Sequence, residues 1–243
     1  MGKLMRFRDL TIIDYPDKRL AIACDSSGAI GDKPEDLVNV DPYIVGRFLV
    51  RVPLMELLSA GAAPIAVFNT LSVEMEPTGR RIVSGILDEM KQIGLEEAAA
   101  INGSTEENMP TVQTGAGVTV LGEVDELKER SMVGDLLYCI GYPKVGHEVA
   151  LDDPQICDLP TVRQLREVAG IHEIVPVGSK GIGYEVAELL KRNQLGLVWE
   201  PTTLPLAKSA GPATCVIVTA EATEQAWLET LRQPVTRLGT LTR

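Results

Sequence analysis

Four stretches of this sequence gather residues able to bind a metal ion or a phosphate. In LAIACDSSGAIGDK, residues 20–33, an apolar run leads into Asp25, Ser26, Ser27 and Gly28 and ends on Lys33. A carboxylate at the end of a buried strand, followed by small residues, presents an oxygen ligand beside phosphate oxygens, a setting suited to Mg²⁺. The same residue types also build ordinary turns, so both readings stay open. Glu56 lies in IVGRFLVRVPLMELLSAG, residues 44–61, and continues the helical stripe Val45, Leu49, Val52. A carboxylate buried there needs a metal or a cation. Alternatively, Arg47 and Arg51 pair with exposed acids and Glu56 stays at the surface.

The third stretch, INGSTEENMPTVQTGAG (residues 101–117), is the most unusual. It sets Glu106 and Glu107 side by side among amides, hydroxyls and glycines, a density that suits metal and phosphate coordination. A solvated connecting loop is the bland alternative, although long polar loops are where sites are built. The fourth, EIVPVGSKGIGYEVAELLKR (residues 173–192), reads strand, Gly-rich turn, helix. Backbone N–H groups at that helix start, with Lys180, could hold a phosphate. The turn also resembles the GxxxGxG of short-chain dehydrogenases, but too little chain follows it for a complete dinucleotide fold. No Walker A motif occurs, and His147 and His172 have no evident nucleophile partner.

These residues need elements to hold them. Short apolar runs at 20–24, 64–73, 115–124, 134–142, 172–178, 214–220 and 235–242 predict strands. Helices are expected over 42–60, where Pro53 should kink or split the helix, and over 77–93, 161–169, 183–193 and 222–231. Strands and helices alternate, giving an α/β or α+β fold. The charged stretch DELKERSMV (125–133) lacks strand character and marks a domain boundary, giving domains 1–130 and 131–243.

Composition narrows the partners. The formal net charge of −11 disfavours nucleic acid and suits a nucleotide that arrives wrapped in divalent metal. No run spans a bilayer and no signal-like segment opens the chain, so a cytoplasmic protein with no membrane partner is expected. Of four cysteines, Cys24, Cys139 and Cys215 sit in apolar runs and read as buried thiols in a reducing compartment.

In order along the chain, CDSSGAIGDK, MELLSAGAAP and NGSTEENMP resemble the aminoimidazole ribonucleotide (AIR) synthetase superfamily. Its members include AIR synthetase, selenophosphate synthetase, thiamine-monophosphate kinase and a hydrogenase-maturation protein. The resemblance covers about 20–124 well and the C-terminal half loosely. It implies a two-domain PurM-like fold. The N-terminal domain would bind ATP and Mg²⁺, and its strands would form a barrel shared by a homodimer. The C-terminal α/β domain would be abridged.

The resemblance also implies roles. Asp25, Glu56, Asn69, Glu106 and Glu107 would hold metal, with Asp25 and Lys33 catalytic. Ser26, Ser27, Gly28, Lys33, Asn102, Gly103, Ser104, Thr105, Thr114 and Lys180 would hold nucleotide. Two departures stand out: Ser104 occupies the place of the family's GGET or GGDT acid, and GSKGIG replaces a GGG-type turn. The combination DSSGAIG, TLSVEMEPTG, NGSTEEN and QTGAG looks like the compact α-ribazole kinases of cobalamin salvage. That likeness implies transfer of the ATP γ-phosphate to a nucleoside-like 5′-hydroxyl.

Overall fold

The computed structural model describes residues 2–96, 100–128, 130–223 and 225–243. The chain forms two compact units, Met1–Leu57 with Ala62–Glu126, and Leu58–Gly61 with Leu127–Arg243. The charged boundary segment 125–133 includes Glu129, which lies outside the described residues.

In the first unit, a hairpin of β1 (Lys3–Phe7) and β2 (Leu10–Asp14) precedes β3 (Arg19–Gly28). The apolar runs do not signal this hairpin. A short parallel pair, β4 (Ile30–Gly31) and β5 (Val38–Asn39), leads to helix α1 (Pro42–Ala60). Strand β6 (Ala63–Leu71), α2 (Arg80–Lys91), β7 (Ile101–Ser104) and β8 (Gly115–Glu123) follow. The sheet order is β1-β2-β3-β8-β6-β7, antiparallel throughout except for the parallel β6–β7 pair. Side chains alternate between faces along a strand. Ala21, Ala23, Val67, Val118 and Val120 fill one face, while Cys24 and Phe68 are exposed on the other.

Two expectations change here. Strand β3 does not stop at Cys24: Asp25, Ser26 and Ser27 remain in the ladder, opposite Val118, Gly117 and Ala116 of β8. Its partner's small residues leave room for this polar stretch to pair, so Asp25 projects from a strand, not from a turn. Cys24 is also exposed, with its Sγ 3.3 Å from the Thr119 hydroxyl.

Helix α1 runs through Pro53 as one element, so of the expected kink or split the split does not occur. It packs against α2 where Gly46 meets the Ile82 carbonyl and Gly85 meets the Tyr43 carbonyl, neither with room for a Cβ. Close backbones force the polar groups at this contact to satisfy one another. Glu89 is fully buried, and it accepts Arg47 Nε at 2.6 Å and Arg51 Nε at 2.7 Å. The two arginines therefore pair with a core carboxylate, not with exposed acids.

The second unit holds β9 (Leu136–Gly141), α3 (Leu159–Arg166), β10 (Ile171–Pro176), α4 (Ile182–Asn193), β11 (Gly196–Trp199), β12 (Cys215–Ala220) and β13 (Val235–Thr242). Its sheet has the order β10-β12-β9-β13-β11 with every pair antiparallel, so the class is α+β. Ile182, Val186 and Leu189 of α4 join Leu137, Cys139, Val175 and Ile217 in its core. Helix α3 starts two residues before its expected position because Asp158 caps the Thr161 N–H at 2.9 Å and Pro160 fits the first turn.

The helix expected over 222–231 is instead a short 3₁₀ turn at Ala226–Thr230; Glu224 lies outside the described residues. Only Trp227 of that turn is buried, edge-on to Tyr138 with ring centroids 5.6 Å apart. One anchor does not make the apolar stripe a longer helix requires. No helix among the described residues is long and apolar enough to cross a membrane.

Candidate functional site

Four strands of the first unit bring separate sequence motifs into one row. Asp25 pairs with Val118, Val118 with Asn69, and Asn69 with Gly103. Asp25 and Asn69 share the parity of buried Ala23 and Val67, so both side chains leave the helix-covered face. The Asn69 amide donates to the Asn102 carbonyl at 3.2 Å and lies over Gly103, where no Cβ would fit. Asn102, Gly103 and Ser104 are thus the strand β7 and not loop, as the polar composition of 101–117 had suggested.

Asp25 is half-buried. Burial raises its carboxyl to about 6, against a smaller lowering by the Ser26 backbone hydrogen bond. No basic side chain forms a salt bridge with it among the described residues. A desolvated carboxylate without a cation is a ligand suited to a hard divalent ion, and the Asn69 amide lies two strands away across β8. Mg²⁺ typically takes one or two carboxylates and completes its shell with water and substrate phosphates. The Asp25 carboxylate therefore fits Mg²⁺ as one protein oxygen ligand, and the Asn69 amide, turned toward β7, offers a second oxygen in the same row. No group of three or more His, Cys, Asp or Glu suited to a metal forms among the described residues.

The other acids sit elsewhere. Glu106 accepts the N–H groups of Asn108 and Met109, at 2.7 and 3.1 Å, and so caps its own turn. Glu107 accepts the Met75 N–H at 2.8 Å and the Thr105 hydroxyl at 2.7 Å. Both shape the loop after β7. Glu56 is half-buried near the end of α1, next to Leu57, which packs on Gly122 of β8. Gly122 lies four residues along β8 from Val118, roughly 13 Å at the strand rise.

The glycine-rich segment after β3 is fastened by Asp36, a residue the motif reading passed over. Asp36 accepts the Lys33 N–H at 2.9 Å, the Thr114 N–H at 2.8 Å and the Thr114 hydroxyl at 2.7 Å. Thr114 is buried, and Gly31 closes over it, so its hydroxyl is committed to this tie. Ser27 shares the face of Asp25, whereas Ser26 points to the open face. Gly28 has open space where a Cβ would stand. Ser104 ends β7 exposed, opposite Thr70. Lys180 belongs to the second unit, with its Nζ 4.1 Å from the Tyr184 ring centre.

Glu74 is the second residue that spacing did not reveal. Its Oε2 accepts Lys33 Nζ at 2.8 Å, and its Oε1 accepts the Thr78 hydroxyl at 2.5 Å. Burial would raise the Glu74 carboxyl, but the Lys33 and Thr78 hydrogen bonds outweigh it and hold the group at about 2. A depressed folded pKa adds stability above the ordinary value of 4.5, and this is lost as pH falls toward 2. Solvent screening of this partly exposed pair leaves about 1–2 kcal/mol. Urea unfolding should therefore show Glu74→Gln less stable than wild type by that amount at pH 7, with the gap shrinking below pH 4. An equal gap at both pH values would remove the ion pair as its cause.

His172 Nδ1 lies 2.8 Å from Asp135 Oδ2, and neither histidine adjoins a nucleophile in the hydrogen bonds and ion pairs described.

Residues 8–124 match the family model described as AIR synthase related protein, N-terminal domain. Among curated proteins, none matches the chain in sequence. Thiamine-monophosphate kinase from Stenotrophomonas maltophilia superposes with a TM-score of 0.68 at 17% identity, covering 98% of this chain and 88% of that one. A structure described as AaThiL complexed with AMPPCP and TMP gives 0.67 at 13%, covering 97% and 84%. Phosphoribosylformylglycinamidine synthase II from Thermotoga maritima gives 0.58 at 17%, covering all of this chain but 37% of that one. At these identities the likeness establishes the fold: a PurM-like α+β architecture.

Proposed function

We propose that this chain, whose residues 8–124 match the AIR synthase related N-terminal domain, is an ATP- and Mg²⁺-dependent phosphotransferase acting on a small molecule. The observation that carries the reading is the row Asp25–Val118–Asn69–Gly103, with a desolvated carboxylate at one end and the NGST segment at the other. A Mg²⁺ ion held by Asp25 and Asn69 would supply neutralisation of phosphate charge.

The chain's own residues supply position. Lys33 offers a cation from the glycine-rich segment, and Ser27 a hydroxyl on the Asp25 face. Asn102, Gly103, Ser104 and Thr105 present backbone and hydroxyl donors at the end of β7. Phosphoryl transfer asks mainly for such alignment and charge placement, and a primary hydroxyl needs little base strength in a loose transition state. Glu106 and Glu107 act here by holding the loop that carries Thr105. The open sheet face that carries Phe68 and Cys24 suits a second copy of the chain, giving a homodimer.

For the acceptor, the motif combination favours the 5′-hydroxyl of α-ribazole. The thiamine-monophosphate kinase neighbours favour thiamine monophosphate as the second reading. A ligase-like reading and a nucleotide-binding module without turnover are the remaining outcomes, the latter suggested by Ser104. Incubation with ATP–Mg²⁺ and a panel of α-ribazole, thiamine monophosphate and formylglycinamidine ribonucleotide, read by mass spectrometry, decides among them. The expected product is α-ribazole carrying one added phosphate. Phosphate on thiamine monophosphate alone transfers the assignment to the second reading, and ADP formed with none of them phosphorylated ends the kinase assignment.

A further inference from the structure

Lys33 is the cation proposed above for the nucleotide phosphates, and a lysine is a poor tool for that unless something orders it. Its ammonium sits on a four-carbon stem with about 2 kcal/mol of rotamer entropy. Here the side chain is only 12% exposed, and its Nζ donates to Glu74 Oε2 at 2.8 Å. Glu74 is itself held: its Oε1 accepts the hydroxyl of buried Thr78, at 2.5 Å. The backbone is pinned as well, because the Gly79 N–H donates to the Glu74 carbonyl at 2.9 Å. Gly79 also packs against Thr105, and Met75 N–H is taken by Glu107. The turn from Glu74 to Gly79 thus touches both the glycine-rich segment and the loop after β7.

We propose that Glu74 is a positioning residue that presets Lys33 for a nucleotide phosphate, with Thr78 as its anchor. The inference rests on the reading of Lys33 as a phosphate contact. A lysine ammonium has three N–H donors. Glu74 takes one, which leaves two for phosphate oxygens. Lys33 then meets its ligand with its torsions already fixed, and the entropy of ordering is not charged against nucleotide affinity. The carboxyl remains ionised across every workable pH, so the restraint is constant and is not a pH switch.

Titration of the full-length protein with AMPPCP and excess Mg²⁺ in a calorimeter tests this, since it requires no knowledge of the acceptor. Lys33→Met should weaken binding about 30-fold, Glu74→Ala about tenfold and Glu74→Gln about threefold. Thr78→Val, which releases the anchor without touching lysine, should cost about threefold. In the Lys33→Met background, Glu74→Ala should add nothing, because a positioning residue acts only through what it positions. A merely structural Glu74 would keep its effect in that background. Circular dichroism of each variant identifies loss of folding, and the near-isosteric Glu74→Gln with Thr78→Val carries the test if Glu74→Ala does not fold.

Glu74→Ala or Glu74→Gln binding AMPPCP as tightly as wild type, while Lys33→Met binds weakly, overturns the inference alone. Lys33→Met binding as wild type overturns the phosphate reading of Lys33 beneath it.

Discussion

Asp25→Asn should make the metal-free protein more stable and inactive at once. The Asp25 carboxyl moves from its ordinary 3.8 to about 6 on folding, chiefly through burial. The native chain therefore holds this proton more tightly than the unfolded chain. Stability from this group falls as pH rises from about 4 to about 6 and stays low above that. About two pKa units correspond to roughly 3 kcal/mol, and partial exposure with water around the carboxyl reduces this to about 1–2 kcal/mol.

Urea unfolding without Mg²⁺ should show the Asn variant more stable by that amount at pH 7.5 and unchanged near pH 4. Turnover of ATP–Mg²⁺ should fall about 10³-fold, the loss of a ligand that places transition-state charge. A functional group kept at a cost in stability is the signature of a site residue. An Asn variant that keeps wild-type turnover would remove Asp25 from the site.

The largest loss of stability should come from Glu89→Gln. Glu89 is wholly buried and receives Arg47 at 2.6 Å and Arg51 at 2.7 Å, where α1 and α2 meet through glycines. Burial works against the Arg47 guanidinium, but the Glu89 carboxylate prevails and holds its pKa above the ordinary arginine value. An amide keeps the volume and leaves two guanidinium groups in the core without a counter-charge. Breaking a buried pair in this way costs about 3–5 kcal/mol. Denaturant unfolding at pH 7 checks the figure. A loss below about 1 kcal/mol would mean that water reaches the arginines and that this helix contact does not rest on the charge cluster.

Much of the candidate site was legible because its parts are local. The apolar runs located β3, β6 and β8, and the residues beyond them marked Asp25, Lys33 and the NGST segment. What the sequence hid was pairing at long range. Asp36 binds Thr114 across 78 residues of chain, and Glu74 reaches Lys33 across 41. Neither tie leaves a periodic or motif-like trace. The extension of β3 through Asp25–Gly28 was hidden for a similar reason: Asp, Ser and Gly are poor strand formers alone. They pair here along β8, where Val118, Gly117, Ala116 and Gly115 stand opposite. Glu106 and Glu107 stood out by composition, yet in the folded loop they bind backbone N–H groups. Adjacency of two acids says nothing of where their oxygens point.

The central claim is that the first unit binds nucleotide through a Mg²⁺ ion held by Asp25. Its most direct measurement is calorimetric titration of the wild-type chain with AMPPCP, in excess Mg²⁺ and again in EDTA, repeated with Asp25→Asn. Saturable binding near one nucleotide per chain in Mg²⁺, at least about 100-fold weaker in EDTA and equally weak in the Asn variant, is the predicted result. Binding of equal strength with and without Mg²⁺, or undiminished in Asp25→Asn, would contradict it.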